Sequence, residues 1–322
     1  MSRHVPVLLN EVVESLQLKS GMNIVDCTLG DGGHAEKILL ATAPTGRVLG
    51  IDADPESLLR AKQFLYSFGE RVIFARSNFA NVAKAVAENN FQPVNGILID
   101  LGWSSPQFEE RGRGFSFLKD EPLDMRYGTE LIINNYPPSP IGASDGRGKL
   151  IIKTAADVVN NLGVAELEKI FREYGEEKLS KEISIGIIEY RRKQEIKTTK
   201  QLVDIILGVY RKKLKTEKEI PWVGGLHPAT KVFQALRMAV NRELAVLEEV
   251  LPAAIEVLAP GGRLAVISFH SLEDRLVKHF FKKIDSKKIK IITKKPIVCA
   301  REEYQNNPRA RSAKLRIAEK LK

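Results

Sequence analysis

Carboxylates and glycines near the start of the chain have the types and spacing of a ligand site. Asp26 precedes the cluster Gly30-Asp31-Gly32-Gly33, Asp52 closes an apolar run 19 residues after Gly33, and Asp100 closes another. Gly32 and Gly33 let the backbone come close to a ligand. Asp52 suits a ribose diol, whose two hydroxyls can both donate to one carboxylate. Gly30-x-Gly32-x-x-Ala35 satisfies the relaxed dinucleotide fingerprint. A pyrophosphate, however, needs bare amides at a helix N-terminus, and Asp26 and Asp31 bracket this loop with negative charge. They better suit S-adenosylmethionine, which carries an ammonium, a sulfonium and no phosphate. The other reading of Asp31 is a turn residue capping the next helix.

A second cluster follows Asp100: Leu101-Gly102-Trp103-Ser104-Ser105-Pro106-Gln107. Enzymes that methylate exocyclic amines place an acid or amide and an aromatic or apolar turn residue at this point. An aromatic amine is a poor nucleophile because its lone pair is delocalised into the ring. Acceptors such as the Asp100 carboxylate can hold its hydrogens, and in-line positioning supplies most of the rest. Carbon-5 methylation of a pyrimidine needs a thiolate. Cys27 lies in a strand-like run and Cys299 in a Lys/Arg-rich tail, neither a nucleophile setting. Nitrogen methylation is favoured over carbon methylation.

Further residues have both functional and structural readings. His270 ends a strand where substrate contact is plausible, or it hydrogen-bonds Asp274. His227 precedes Pro228 at a helix start and can serve as a cap. Arg237 and Arg242 share one long helix and can meet phosphate, or pair with Glu243 or Glu249. Arg111 and Arg113, flanked by glycines, read as RNA or substrate-loop contacts. Trp103 can stack on a flipped base or simply pack. The five histidines have no metal-like spacing, so no metal site is expected.

The elements that must position these residues alternate. Strands are expected at Met22–Cys27, Arg47–Asp52, Val72–Ala75 and Gly96–Asp100. Helices are expected at Glu11–Leu18, His34–Ala41, Glu56–Phe68 after Pro55, and Val82–Asn89. That pattern predicts right-handed βαβ units and a parallel sheet. From about 105 to 150 the chain is loop-like, with 134–149 nearest to low complexity. A charge-dense helical segment then holds Ala165–Tyr174, Ser180–Lys193 and Lys200–Lys213. A long helix over Pro228–Leu258 and a turn at Pro260-Gly261-Gly262 lead into a strand at Arg263–Phe269. Ile289–Thr293 and Lys314–Glu319 could close the sheet as a hairpin. The expected fold is α/β: a class I, Rossmann-like sheet with a C-terminal antiparallel hairpin and a helical insertion domain. The sheet domain is assigned to 1–125 and 215–322, and the insertion to 126–214.

Composition sets the frame. The chain has 322 residues, 43% hydrophobic and 28% charged, which excludes general disorder and allows a sizeable core. Two distant cysteines offer no disulfide framework. With no signal-like N-terminus and no apolar run of ~18 residues, a cytoplasmic protein away from membranes is expected. Net charge is +10, and residues 271–322, with 16 basic and 6 acidic residues, carry the entire excess. A cationic surface facing a polyanion and a merely solvated lysine-rich face both fit.

The motifs together resemble a known family. Asp26-x-Thr28-x-Gly30-x-Gly32-Gly33-His34, Asp52-x-Asp54-Pro55, Asp100-Leu101-Gly102-x-Ser104-Ser105-x-Gln107, Arg113-Gly114-Phe115-Ser116-Phe117 and Pro122-Leu123-Asp124-Met125-Arg126 are similar to the bacterial 16S ribosomal RNA cytosine-N4 methyltransferases, the MraW-like enzymes. So are His227-Pro228-Ala229-Thr230, Phe233-Gln234-Ala235-Leu236-Arg237, Ile267-Ser268-Phe269-His270-Ser271-Leu272-Glu273-Asp274-Arg275 and Asn307-Pro308-Arg309-Ala310-Arg311-Ser312, in the family's order.

The resemblance implies S-adenosylmethionine as methyl donor and N4 of a cytidine in the ribosomal decoding centre as acceptor. It implies that Gly32, Gly33 and His34 line the methionine end of the donor, Asp52 the ribose, Phe79 the adenine edge, and Asp100 and Gln107 the far side. Asp100, Ser104, Ser105 and His270 are the expected catalytic residues, and Trp103, Arg113, His227 and Arg237 the expected substrate contacts. The expected partner is 16S rRNA in the small subunit; a homodimer is left open. The loop of about 129–152 looks longer than usual for the family, and the segment between Lys283 and Cys299 shorter. Three alternatives stay open. A DNA amino-methyltransferase usually carries an Asp/Asn-Pro-Pro-aromatic tetrapeptide, absent here. An RNA-binding assembly factor without activity and a nicotinamide oxidoreductase are the others.

Overall fold

The computed structural model describes residues 5–102, 112–127, 154–218, 220, 226–284 and 286–322. Near-continuous apolar runs become strands of a parallel sheet, the central ones buried on both faces. These are β1 (Ile24–Asp26), β2 (Val48–Asp52), β3 (Val72–Arg76), β4 (Val94–Asp100) and β5 (Leu258–Ser268). β6 (Ile289–Ile291) and β7 (Lys314–Lys320) complete a seven-stranded sheet of order β3-β2-β1-β4-β5-β7-β6, in which β7 runs antiparallel to both neighbours. The expected antiparallel pair is therefore present, but a long connection containing a helix joins it rather than a tight turn.

Alternate residues feed two apolar layers. Val25, Leu49, Ile97, Ile99 and Val266 point to one face, and Ile24, Val48, Leu98, Ala265 and Ile267 to the other. Each fully buried aliphatic side chain contributes about 1.5–3 kcal/mol. Helices α1 (Leu9–Leu16), α2 (Gly33–Ala41), α3 (Pro55–Phe64) and α4 (Val82–Glu88) connect or cover the first four strands. Helix α3 starts where expected, with Pro55 in its first turn and the Asp54 carboxylate accepting from the amides of Glu56 and Ser57. It stops at Phe64, earlier than the apolar pattern suggests, and a 3₁₀ segment takes over from Tyr66.

The chain divides into two compact units, Met1–Ser104 with Leu244–Lys322, and Ser105–Glu243. The second takes in 105–125 and 215–243 in addition to 126–214. Its described helices are α5 (Ala155–Asn161), α6 (Val164–Glu173), α7 (Ser180–Arg191), α8 (Thr199–Leu214) and α9 (Thr230–Asn241). They enclose a core of their own that includes Leu167, Phe171, Ile183, Ile187, Leu202, Ile206, Val232 and Leu236. Reciprocal caps at Thr154/Asp157 and Thr198/Gln201 begin α5 and α8.

The single helix expected over Pro228–Leu258 is two, α9 and α10 (Glu243–Val257). Arg242 adopts a left-handed φ of 53° and ends α9, while the Asn241 side chain donates to the carbonyls of Met125 and Arg237. Two further helices, α11 (Ser271–Lys283) and α12 (Arg301–Asn306), belong to the sheet unit. No described helix is long and apolar enough to cross a membrane.

Candidate active site

Strand order reverses between β1 and β4, and in open α/β sheets ligands bind at the carboxyl ends of strands at such a point. Asp26 ends β1, Asp52 ends β2 and Asp100 ends β4. Asp26 pairs in register with Gly50 and Leu98, so Asp52 and Asp100 each project two residues beyond it. The residues after β1 turn sharply, with left-handed φ at Gly30 (53°) and Gly32 (87°), and deliver Gly33 and His34 to the start of α2.

The three carboxylates are held differently. The two Asp52 oxygens accept from the amides of Gly30 (2.9 Å) and Asp54 (2.8 Å), which orients the side chain and leaves further lone pairs. Burial nevertheless pushes its pKa up to about 6. Asp100 is fixed through its own amide, which donates to Thr28 Oγ1 (2.7 Å), and through Oδ1, which accepts from Gly102 (2.8 Å). Asp26 Oδ1 accepts from the Thr28 amide, but its buried Oδ2 has no hydrogen-bond partner among the described residues. Burial, then the charges of Asp100 and Asp52, push the Asp26 pKa to about 7 against the lowering effect of the Thr28 amide.

An unsatisfied buried carboxylate oxygen beside two more carboxylates calls for a cation or several hydrogen-bond donors. A ligand with an ammonium, a sulfonium and ribose hydroxyls fits that set; a pyrophosphate does not.

His34 is buried, and desolvation holds its pKa below the usual value. Its Nε2 lies 3.0 Å from the Val7 carbonyl, and its Nδ1 faces Asp100 Oδ2 at 3.8 Å. The glycines act mainly by letting protein pack. A Cβ on Gly33 would sit 2.3 Å from Pro6 Cγ, and one on Gly32 2.9 Å from Leu65 Cδ1, whereas one on Gly30 would meet nothing closer than 4.0 Å. Phe79 opens a short 3₁₀ turn after β3 and packs partly against the sheet core.

Gly32, Gly33, His34, Asp52 and Asp100 are thus brought together. Trp103, Ser104, Ser105 and Gln107, with Arg111 and the loop residues 129–152, lie outside the described residues.

Some expected partners differ. Asp31 is not the cap of α2, which is Gly32; its Oδ1 accepts from Arg60 Nε at 2.8 Å. His270 is the N-cap of α11, and its partner is Glu273 rather than Asp274: His270 Nδ1 accepts from the Glu273 amide, and Glu273 Oε2 accepts from the amides of Phe269 and His270. Asp274 instead binds Arg316 through two hydrogen bonds, at 2.6 and 3.1 Å.

In the helical unit Arg113 donates to the carbonyls of Arg126 and Tyr127. His227 Nδ1 accepts from the Ala229 amide and its ring stacks on Phe117 at 4.6 Å. Arg237 makes a two-pronged pair with Glu243 at 2.8 and 3.0 Å. Sequence reasoning missed the segment Val5–Leu8, whose Pro6 and Val7 touch Gly33 and His34. No motif marks it.

The strand order, the reversed seventh strand and the carboxylate cluster at the switch point define a class I methyltransferase. The sequence profile of the MraW methylase family matches residues 1–135 and 149–321, and the chain belongs to that family. The ribosomal RNA small subunit methyltransferase H of Carboxydothermus hydrogenoformans is 45% identical, over 99% of this chain and 98% of its own length. Proteins of the same name from Heliobacterium modesticaldum and Geobacter sp. strain M21 are 44% and 43% identical, each over 99% of this chain and 99% and 98% of their own lengths.

Proposed function

We propose that this methyltransferase transfers a methyl group from S-adenosylmethionine to the exocyclic N4 of a cytidine in 16S rRNA of the small ribosomal subunit. The observation that carries the donor assignment is the placing of Asp52, its oxygens aimed by the Gly30 and Asp54 amides, with Asp100 at the strand ends around the glycine loop. The names of the full-length relatives support the RNA substrate.

When bound, S-adenosylmethionine supplies a methyl on a cationic sulfur, an electrophile whose thioether departs without protonation. Asp52 holds the ribose hydroxyls, since the Gly30 and Asp54 amides aim its oxygens and leave acceptor capacity. Gly32, Gly33 and His34 line the methionine end, and Phe79 lies at the adenine edge. Asp100, locked by Thr28 and Gly102, accepts hydrogens of the attacking amine and turns its lone pair toward the methyl. The motif implies that Trp103, Ser104, Ser105 and Gln107 complete the acceptor side. Arg113, His227 and Arg237 contact the RNA substrate, held in place by their bonds to the Arg126 carbonyl, the Ala229 amide and Glu243, and His270, the cap of α11, acts on the acceptor side.

The cysteines favour nitrogen over carbon 5 as the acceptor. Burial pushes the Cys27 thiol well above its ordinary pKa, and burial with Glu303 raises that of Cys299, so neither is poised as a thiolate.

The polymer is tested by offering labelled donor with small subunits lacking the modification, and in parallel with duplex DNA. Label entering the subunit RNA is expected. Label in DNA alone overturns the assignment.

A further inference from the structure

The two ends of the sheet unit meet over the glycine loop. Residues Val5–Leu8 run as a strap across the start of α2, with Pro6 occupying the space a Gly33 side chain would need. A carbonyl can only accept, so the 3.0 Å contact between His34 Nε2 and Val7 O puts the imidazole hydrogen on Nε2. In the neutral ring His34 Nδ1 is then an acceptor, 3.8 Å from Asp100 Oδ2, so the two present a pair of acceptors rather than a bond to each other.

The strap is held from the far end of the chain. Glu303 Oε1 accepts from the Leu8 amide at 2.7 Å, and buried Asn307 donates from Nδ2 to Val5 O at 3.1 Å. Leu8 adopts a left-handed φ of 54°, a conformation that persists in a non-glycine residue only where its surroundings over-determine it.

We propose that Glu303 and Asn307 are positioning residues of the methyltransferase site: by clamping the Val5–Leu8 strap they set the His34 tautomer and hold its Nδ1 toward Asp100 at the methionine end of the donor pocket. This rests on the pocket assignment given above and extends it to residues on α12 and just beyond it, remote in sequence from every donor motif.

The test reads the tautomer directly, by ¹⁵N NMR of the His34 ring in the full chain, together with the dissociation constant for S-adenosylmethionine. Wild type is expected to show Nε2-protonated His34. In Glu303→Ala/Asn307→Ala, with both clamps gone, a mixture of tautomers and about tenfold weaker donor binding are expected. Glu303→Gln keeps an acceptor for the Leu8 amide and is expected to stay within about twofold of wild type. Glu303→Ala alone, on a short and otherwise exposed helix, keeps the test available if the double variant does not fold.

An unchanged tautomer in the folded variants overturns the proposal, as does a changed tautomer with unchanged donor affinity. Asp52→Ala, measured alongside, separates the two readings. If it weakens donor binding while the clamp variants do not, only the clamp falls. If it too leaves binding intact, the pocket assignment fails.

Discussion

Burial raises the pKa of Asp26 to about 7 and that of Asp52 to about 6, and that has a measurable sign. An acid whose pKa rises from 3.8 to about 7 on folding binds more protons in the native than in the unfolded state between those values. Stability therefore falls as pH rises from about 4 to 7. Asp26→Asn removes this contribution and leaves that of Asp52. Denaturant melts are expected to show the variant equal to wild type near pH 4 and about 1–3 kcal/mol more stable at pH 8. The same ionisation favours a cationic donor, so calorimetric affinity of wild type for S-adenosylmethionine should rise between about pH 5.5 and 7.5. Asp52→Ala should weaken donor binding by about 1–3 kcal/mol through lost charge-assisted hydrogen bonds. Unchanged affinity would remove Asp52 from the site. At this scale the positions of Asp52 and Asp100 were legible, because a polar residue closing an apolar run marks a strand's carboxyl end. The pairing of Asp31 with Arg60 was not, since it joins the glycine loop to a residue 29 positions later on α3.

Among the elements, the glycine loop is the one whose sequence most invites a wrong emphasis. Glycines beside a ligand pocket suggest close approach by the ligand, yet Gly32 and Gly33 make room for Leu65 and Pro6. Gly33→Ala is therefore expected to cost about 1–3 kcal/mol by overpacking against the strap. Gly30→Ala, with open space but φ of 53°, should cost about 1 kcal/mol from backbone strain alone. Thermal or denaturant melts rank the two, and equal costs would contradict the difference in packing. The alternating strands and helices were read from the sequence because apolar runs of four to seven residues bounded by Gly, Pro and Asp have few other interpretations. The break between α9 and α10 escaped because Arg242, unlike glycine, carries no signal of a left-handed turn, and the apolar pattern continues through it. His270 lies two residues past β5 rather than at its end, and its partner is set by the capping geometry of α11, which selects the residue three positions on.

Across the molecule the charge excess is confined to residues 271–322, and the structure sorts those residues into two groups. Arg316 and Lys314 engage Asp274, and Lys320 donates to the Glu256 and Leu258 carbonyls. Lys278, Lys282, Lys283, Lys288, Lys290, Lys294 and Lys295 are exposed on α11, β6 and the segments beside them. Lys282→Glu/Lys283→Glu/Lys290→Glu is expected to weaken binding to small-subunit RNA by about tenfold or more at 50 mM salt and to flatten its salt dependence, with donor affinity unchanged. Filter binding across about 50–200 mM salt checks this. Unaltered RNA binding would make these lysines a solvated face only. Donor, polymer and atom come together in one experiment: methyl transfer from labelled S-adenosylmethionine to small subunits lacking the modification, followed by digestion of the RNA and separation of its nucleosides. The expected result is label in N4-methylcytidine. Label in any other nucleoside, or none while the donor demonstrably binds, would contradict the assignment of this site to cytidine N4.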